Sequence, residues 1–220
     1  MDILNFISWI KGGRYTTTPP ANSVTVIGAP SSNRDDKYLP ITIPLSAIGS
    51  TGISNLGRLI GGGIVVGEWD EYGVKKVLIA SLTYLSASVP WTIPAQQANA
   101  VGVGAQNFST GLGNTDAIIA QTGVPADTTY AAGLARLYLG GGYNDWYLPA
   151  SWELNLCFDA AAIVNKVLGP TNGFVANQHW SSSESSGINA YGQPFTSGTA
   201  APLNKNNSSV RTRAVRIHTL

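Results

Sequence analysis

The segment that most constrains the fold of this chain is residues 141–154, with the sequence GGYNDWYLPASWEL. Leu148-Pro149 favours an extended backbone just before a predicted helix, because proline disfavours helical geometry in the residue that precedes it. Trp146 is large enough to anchor this corner in a core. Two further blocks follow in order, HWSSSE at 179–184 and RAVR at 213–216. Motifs of this kind usually fix a fold rather than a reaction, so we interpret them as structural.

Together the three blocks resemble the Lcl C-terminal domain group, also called DUF1566, over roughly residues 56–217. This group is a variant of the C-type lectin fold found in bacterial adhesins and phage surface proteins. The resemblance implies an α+β fold, a C-type lectin-like domain of twisted antiparallel sheets with two helices, preceded by a small N-terminal helix and strand arm. The expected division is an attachment or oligomerisation arm at 1–50 and the lectin-like domain at 51–220. The residues that match the family's motifs are Asp145, Trp146, Leu148, Pro149, Glu153, Trp180, Ser181, Ser182, Glu184, Arg213 and Arg216.

The composition excludes several classes of protein. The chain has 220 residues, 44% of them hydrophobic, which is enough for a real core. Lys and Arg number 13 against 12 Asp and Glu, so binding of nucleic acid through bulk charge is not expected. The single cysteine, Cys157, cannot form an intramolecular disulfide, and it falls on the apolar stripe of a predicted helix. The apolar run at 3–10 is too short to span a bilayer and lacks a basic leader, so we expect neither membrane insertion nor a secretion signal.

The first fifty residues predict an arm. Apolar residues at helical spacing predict a short helix, namely Ile3, Phe6, Ile7 and Ile10. A TTTPP spacer at 16–20 follows. In residues 37–45, apolar side chains alternate with a polar face that carries two prolines, which predicts either an edge strand of the same domain or an arm lying on another subunit.

The remaining pattern predicts sheets and two helices. A hairpin is expected from Leu59 to Leu82, with a polar turn at 70–73, after a domain boundary near 49–55. One helix is expected after a cap at Thr128 or Thr129, ending at Gly140. A second is expected from a cap at Ser151 to Gly169-Pro170, with Leu154, Cys157, Phe158, Ala161, Val164 and Leu168 along one stripe. The final strands are predicted at 178–183, 190–196 and 210–217.

Catalytic and metal-binding patterns are weak. Serines 181–183 have only two histidines available in the chain, His179 and His218, and neither comes with an acidic partner at a recognisable spacing. The calcium and sugar motifs of many C-type lectins do not occur in comparable positions, and carboxylates are sparse. Asp145 and Glu153 are interpreted as a cap and a first-turn carboxylate favoured by the helix dipole. We therefore expect no enzyme, no metal and no cofactor.

The segment 185–213 combines amides, hydroxyls and two aromatic rings, which is the chemistry of recognition surfaces. The alternative is a plain solvated loop. In the family that the chain resembles, these loops form the ligand surface. The candidate ligand-binding residues are Asn189, Tyr191, Gln193, Phe195, Asn204, Lys205, Asn206, Asn207 and Arg211.

The resemblance together with the missing secretion signal, the arm-plus-domain layout and the near-neutral polar surface predicts a non-enzymatic phage virion surface protein, which would be a fibre, decoration or receptor-binding component. Its lectin-like domain would bind host-surface glycan or protein, and its N-terminal arm would hold other virion proteins, with a homotrimer as the expected assembly. Two alternatives remain. One is a purely structural capsid or tail cementing protein, and the other is a bacterial adhesin that binds polysaccharide through Arg211, Arg213, Arg216 and Lys205, the only basic cluster.

Overall fold

The computed structural model describes residues 54–220 together with the backbone of two strands, β1 (Ser23–Val26) and β2 (Ile41–Pro44). The chain divides into two compact units, Met1–Ile53 and Ser54–Leu220. In the first unit β1 and β2 pair antiparallel, with Val24 opposite Ile43. Strand β2 lies inside the alternating segment 37–45. The helix expected at 3–10 and the spacer at 16–20 lie outside the described residues.

The second unit contains a four-stranded antiparallel sheet. Its strands are β3 (Leu59–Ile60), β4 (Gly63–Glu71), β5 (Val74–Ala80) and β9 (Val215–Thr219), in that spatial order. The hairpin predicted at 59–82 is confirmed, and β4 and β5 are joined by Tyr72 and Gly73. Both residues have positive φ, 51° and 81°, which is the backbone that a two-residue hairpin turn requires.

A three-stranded antiparallel sheet is formed by β6 (Gln178–Glu184), β7 (Asn189–Pro194) and β8 (Ala201–Asn204). The strands predicted at 178–183 and 190–196 are confirmed, whereas β8 was not predicted. The strand expected at 210–217 is regular only from Val215 onward. The first half of this segment has no single partner strand. The Arg211 N–H donates to the Gln178 carbonyl of β6, whereas Thr212 pairs with Ser86 in a loop.

Four helices, rather than the expected two, occur in residues 54–220. They are α1 (Gly111–Thr122), α2 (Ala131–Leu137), α3 (Ser151–Asp159) and α4 (Ala161–Asn172), with short 3-10 segments at Pro94–Gln96, Gly102–Ala105 and Gly140–Gly142. Helix α1 was missed because its first turn, Gly-Leu-Gly, has poor helix propensity. The glycine at 111 is required by packing, since a Cβ there would collide with the Leu148 carbonyl oxygen.

Two of the predicted helix starts are wrong. Ser151 is the first helical residue rather than the cap, and its hydroxyl instead contacts the Ser181 hydroxyl. Helix α2 begins after Tyr130 with no side-chain cap, because Thr129 bonds Asp127. The long helix predicted from Ser151 to Gly169-Pro170 is divided at Ala160 and loses helical geometry at Gly169, and the buried side chains of α3 and α4 belong to one apolar cluster.

The core consists of two apolar clusters. One contains the buried indoles of Trp91, Trp146 and Trp180. The other packs Leu154, Cys157 and Val164 against the four-stranded sheet. With antiparallel sheets and separate helices, the second unit is an α+β fold. None of its helices combines the length and apolarity needed to cross a bilayer.

Candidate functional site

The WSSSE segment of β6, residues 180–184, is buried and forms hydrogen bonds to neighbouring segments of the chain. The Trp180 indole N–H donates to the Val89 carbonyl at 2.9 Å, inside the core. The Ser181 hydroxyl donates to the Tyr191 carbonyl at 2.8 Å, and the backbone N–H of Ser182 donates to the Pro149 carbonyl at 2.7 Å. These bonds tie the start of α3 to β6 and β7. The serines therefore join buried backbone segments of the fold, which agrees with a structural interpretation of the motif.

Glu153 joins the first turns of two helices. Its carboxylate accepts the backbone N–H groups of Gly111 at 2.9 Å and Ala150 at 2.8 Å, and the Tyr147 hydroxyl at 2.6 Å. Burial raises the pKa of Glu153, although all three hydrogen bonds oppose that shift. Burial also raises the pKa of Tyr147, so its hydroxyl keeps its proton and donates. The first-turn carboxylate predicted at this position thus holds α1 against α3.

Glu184 and Lys205 form a fully buried ion pair, with Nζ and Oε1 2.6 Å apart. The ammonium also donates to the carbonyls of Asn99 at 2.8 Å and Gly187 at 2.9 Å. The carboxylate accepts the backbone N–H groups of Val101 and Gly102. Three loops are joined through this one pair. Lys205 therefore serves the interior, which corrects the expectation that it contacts a ligand.

Asp145 and Arg216 form a two-pronged ion pair. Nε lies 2.6 Å from Oδ1 and Nη2 lies 2.8 Å from Oδ2, and the guanidinium stacks 3.8 Å from the centre of the Tyr143 ring. The hydrogen bond from Arg216 lowers the pKa of Asp145. Asp145 was predicted as a helix cap. It instead joins the approach to α3 to the C-terminal strand β9, so the prediction of its role is wrong.

Asp145→Asn tests the value of this pair. Because the folded-state pKa of Asp145 is lowered, its contribution is present above the pKa of the unfolded chain, near 4, and is lost as the pH falls below it. The carboxylate is 48% exposed, so we expect the variant to lose less than about 1 kcal/mol at pH 7. Urea denaturation at pH 7 and pH 3 measures the difference, which should shrink at pH 3. Asp116→Asn, in the single-bond pair with Arg136, is the control and should lose less.

Arg213 is buried in an aromatic stack. Its guanidinium carbon lies 4.3 Å from the centre of the Tyr84 ring and 4.5 Å from that of Phe174. Nη2 donates to the Asn172 carbonyl, three residues after α4 is interrupted by the non-helical backbone of Gly169. Arg211 stacks 4.9 Å from the same Tyr84 ring. The four members of the predicted basic cluster are therefore dispersed: two lie in separate ion pairs and two in this stack.

His179 lies beside that stack. Its Nε2 is 3.0 Å from the Tyr84 hydroxyl, and its ring is 4.1 Å from that of Phe195. Burial lowers the pKa of His179 to about 3, so the imidazole is neutral at pH 7. Phe195 also packs on Phe158 and Phe174. Phe195 thus belongs mainly to an internal aromatic cluster rather than to a free surface.

The structure does not bring the nine predicted ligand-binding residues together. Gln193 is buried, with its amide N–H bonded to Asn155 and to the Gly198 carbonyl, which corrects its assignment. In the turn after β8, the side chains of Asn204 and Asn207 accept the backbone N–H groups two residues ahead, as asparagines do in turns. Exposed Asn206 lies in the same turn, and Asn189 is half-buried at the start of β7.

Tyr191 belongs to an aromatic surface around the start of α3. Its ring packs edge-to-face on Phe108 with centres 5.1 Å apart, and Trp69 packs in the same way on Trp152 at 5.6 Å. The two pairs are joined through the backbone, since the Trp152 N–H donates to the Phe108 carbonyl at 2.8 Å. We call Trp69, Phe108, Trp152, Asn155 and Tyr191 the Trp152 surface.

Sequence reasoning found only Tyr191 of this surface. One signal was available in the sequence. Trp152 lies in the first turn of α3, whose buried stripe runs through Leu154 and Cys157, and Trp152 lies outside that stripe. A tryptophan on the outer side of an amphipathic helix is costly to expose, and it is 43% exposed here. Phe108, which is 50% exposed, lies in a loop with no periodicity, so nothing in the sequence singled it out.

The described part of the chain brings no three His, Cys, Asp or Glu side chains together in a group that could hold a metal ion. The hydrogen-bond partner of His179 is Tyr84 rather than one of the serines in β6. Burial raises the pKa of the Cys157 thiol, which keeps it protonated within its apolar cluster. The Trp152 surface is therefore the strongest candidate for function.

None of the known protein-family models matches the chain, and none of the curated proteins matches it either.

Proposed function

We propose that this protein is a non-enzymatic binding component of a phage particle, a fibre, decoration or receptor-binding protein that carries a C-type lectin-like domain. The observation that carries the proposal is the Trp152 surface, where the exposed rings of Trp152 and Phe108 pack on the partly buried rings of Trp69 and Tyr191. Large exposed aromatic side chains on one patch mark sites of interaction. The ligand is glycan or protein on the host surface.

Two features of the second unit support a lectin-like domain. Its C-terminal strand β9 returns to pair with β5 of the opening hairpin, so both ends of the unit lie in one sheet. The WSSSE segment of β6 and the residues before α3 are joined by buried hydrogen bonds, as between Pro149 and Ser182. Both features agree with the fold that the three sequence blocks imply.

In this proposal residues 1–50 attach the protein to other virion proteins and assemble it as a homotrimer, since closed symmetric assemblies are the common solution for displayed domains. Residues 51–220 face outward. The second candidate is a cementing protein of the capsid or tail. The same observation favours it, because an exposed aromatic surface also suits a contact between subunits.

Immuno-gold labelling of particles tests the display directly. An antibody against the exposed turn at 204–209 should label intact particles, and light scattering of the purified protein should give the mass of a trimer. Label that appears only after the particles are disrupted would favour the cementing protein. Particles without label in either state would rule out both roles.

A further inference from the structure

We infer that the Trp152 surface binds a neutral pyranose oligosaccharide by ring stacking and amide hydrogen bonds, without a metal ion. The inference rests on the proposed function and specifies the ligand class of that surface. Five side chains carry it, and they come from four separate parts of the chain: β4, the loop before α1, α3 and β7.

The first argument is the geometry of the rings. The planes of Trp69 and Trp152 meet at 72°, and those of Phe108 and Tyr191 meet at 61°. In an edge-to-face pair, the edge of one ring covers one face of the other, whereas the faces of the ring that contributes the edge stay clear of its partner. The apolar C–H face of a pyranose ring stacks on such a face, and two pairs joined by the Trp152–Phe108 backbone hydrogen bond suit two successive sugar units.

The second argument is the amide of Asn155, one helical turn after Trp152 on the same side of α3. Its Oδ1 accepts the Gln193 amide N–H at 3.0 Å, and its Nδ2 donates to Asp159 Oδ2 at 3.0 Å. These bonds fix the orientation of the amide. Its oxygen can still accept one hydrogen bond from a ligand, and its nitrogen can still donate one. A sugar hydroxyl both donates and accepts, so an oriented amide beside a ring matches it.

The third argument is charge. The five residues of the Trp152 surface are Trp, Phe, Tyr and Asn, the carboxylate bonded to Asn155 is the anion Asp159, and the basic residues Lys205 and Arg216 are bound to carboxylates elsewhere. Attraction of sulfated or phosphorylated chains needs clustered cations. The surface therefore fits a neutral glycan.

The fourth argument is area, which separates a sugar from a protein partner. An aromatic side chain has about 150–250 Å² of surface, so four rings that are at most half exposed offer on the order of 300 Å². A stable protein interface buries about 800 Å² on each partner. One or two sugar rings cover the smaller area.

Titration of the full-length protein with cellohexaose, maltohexaose and chitohexaose tests the inference through tryptophan fluorescence. We expect saturable binding to at least one of them at concentrations up to about 10 mM, unchanged by EDTA or by added NaCl. Trp152→Ala should weaken that binding about tenfold or more, and Asn155→Ala should weaken it as well. Tyr72→Ala, which removes a fully exposed aromatic ring from the hairpin turn, should leave it unchanged.

Absence of saturable binding to all three oligosaccharides would overturn the inference, as would binding that Trp152→Ala leaves intact or that salt or EDTA abolishes. A different result bears on the proposed function. Adsorption of the protein to host cells that depends on Trp152, without binding of any oligosaccharide, would retain the receptor-binding role and identify the ligand as a protein. Circular dichroism of each variant checks that it is folded.

Discussion

Lys205→Met is expected to lower the free energy of unfolding by about 3–5 kcal/mol. The substitution keeps most of the side chain's volume and removes the ammonium, so it leaves the Glu184 carboxylate buried without a counter-charge. It also frees the carbonyls of Asn99 and Gly187, which lose their donor. Urea denaturation at pH 7 measures the loss.

Two further variants distinguish the stability lost with the buried ion pair from the stability lost when any paired lysine is replaced. Lys76→Met breaks the partly exposed pair with Glu71 in the β4–β5 hairpin, and it should lower the free energy of unfolding by less than about 1 kcal/mol. The double variant Lys205→Met with Glu184→Gln should recover part of the loss, because the unpaired charge is gone. A loss below 1 kcal/mol in Lys205→Met would contradict a buried pair that joins three loops.

We expect acidification to destabilise the protein through His179 by about 1.4 kcal/mol per pH unit below pH 6.5. The folded-state pKa of about 3 lies below the unfolded value of 6.5, so the unfolded chain binds the proton first as the pH falls. The stability from the neutral imidazole is present above pH 6.5 and is lost progressively towards pH 3. Between pH 6.5 and 4.5 the expected loss is about 2–3 kcal/mol.

His179→Gln should flatten this pH dependence, because an amide does not titrate and can still bond the Tyr84 hydroxyl. His218→Gln replaces the only other histidine of the chain and is the matched control. Denaturation curves at several pH values from 7.5 to 4.5 give the slopes. If the slopes of His179→Gln and His218→Gln are equal, the buried imidazole is not the source of the acid sensitivity.

Local signals predicted the hairpin and the first two strands of the second sheet. The β4–β5 turn lies where a polar stretch with glycine separates two apolar runs, and β6 begins at Gln178, two residues before the buried Trp180. These features depend on neighbouring residues, so one sequence is enough to find them. The structural interpretation of Glu153 succeeded for the same reason, because a carboxylate in a first helical turn has a local partner at Ala150.

Features that depend on distant contacts were not predictable. Helix α1 begins at Gly111 because Glu153, 42 residues later, accepts its N–H. Lys205 looked like part of a basic, solvated loop, and only the fold reveals Glu184 beside it. The Trp152 surface likewise joins residues from Trp69 to Tyr191, which share no sequence pattern.

If the protein is the proposed phage component, adsorption of labelled full-length protein to cells of that phage's host tests the central claim most directly, with the Trp152→Ala and Tyr72→Ala variants measured beside it. The Trp152 surface predicts that Trp152→Ala loses most of the adsorption, by about tenfold or more in affinity, while Tyr72→Ala keeps it. Equal adsorption by the native protein and folded Trp152→Ala would show that recognition takes place elsewhere on the molecule.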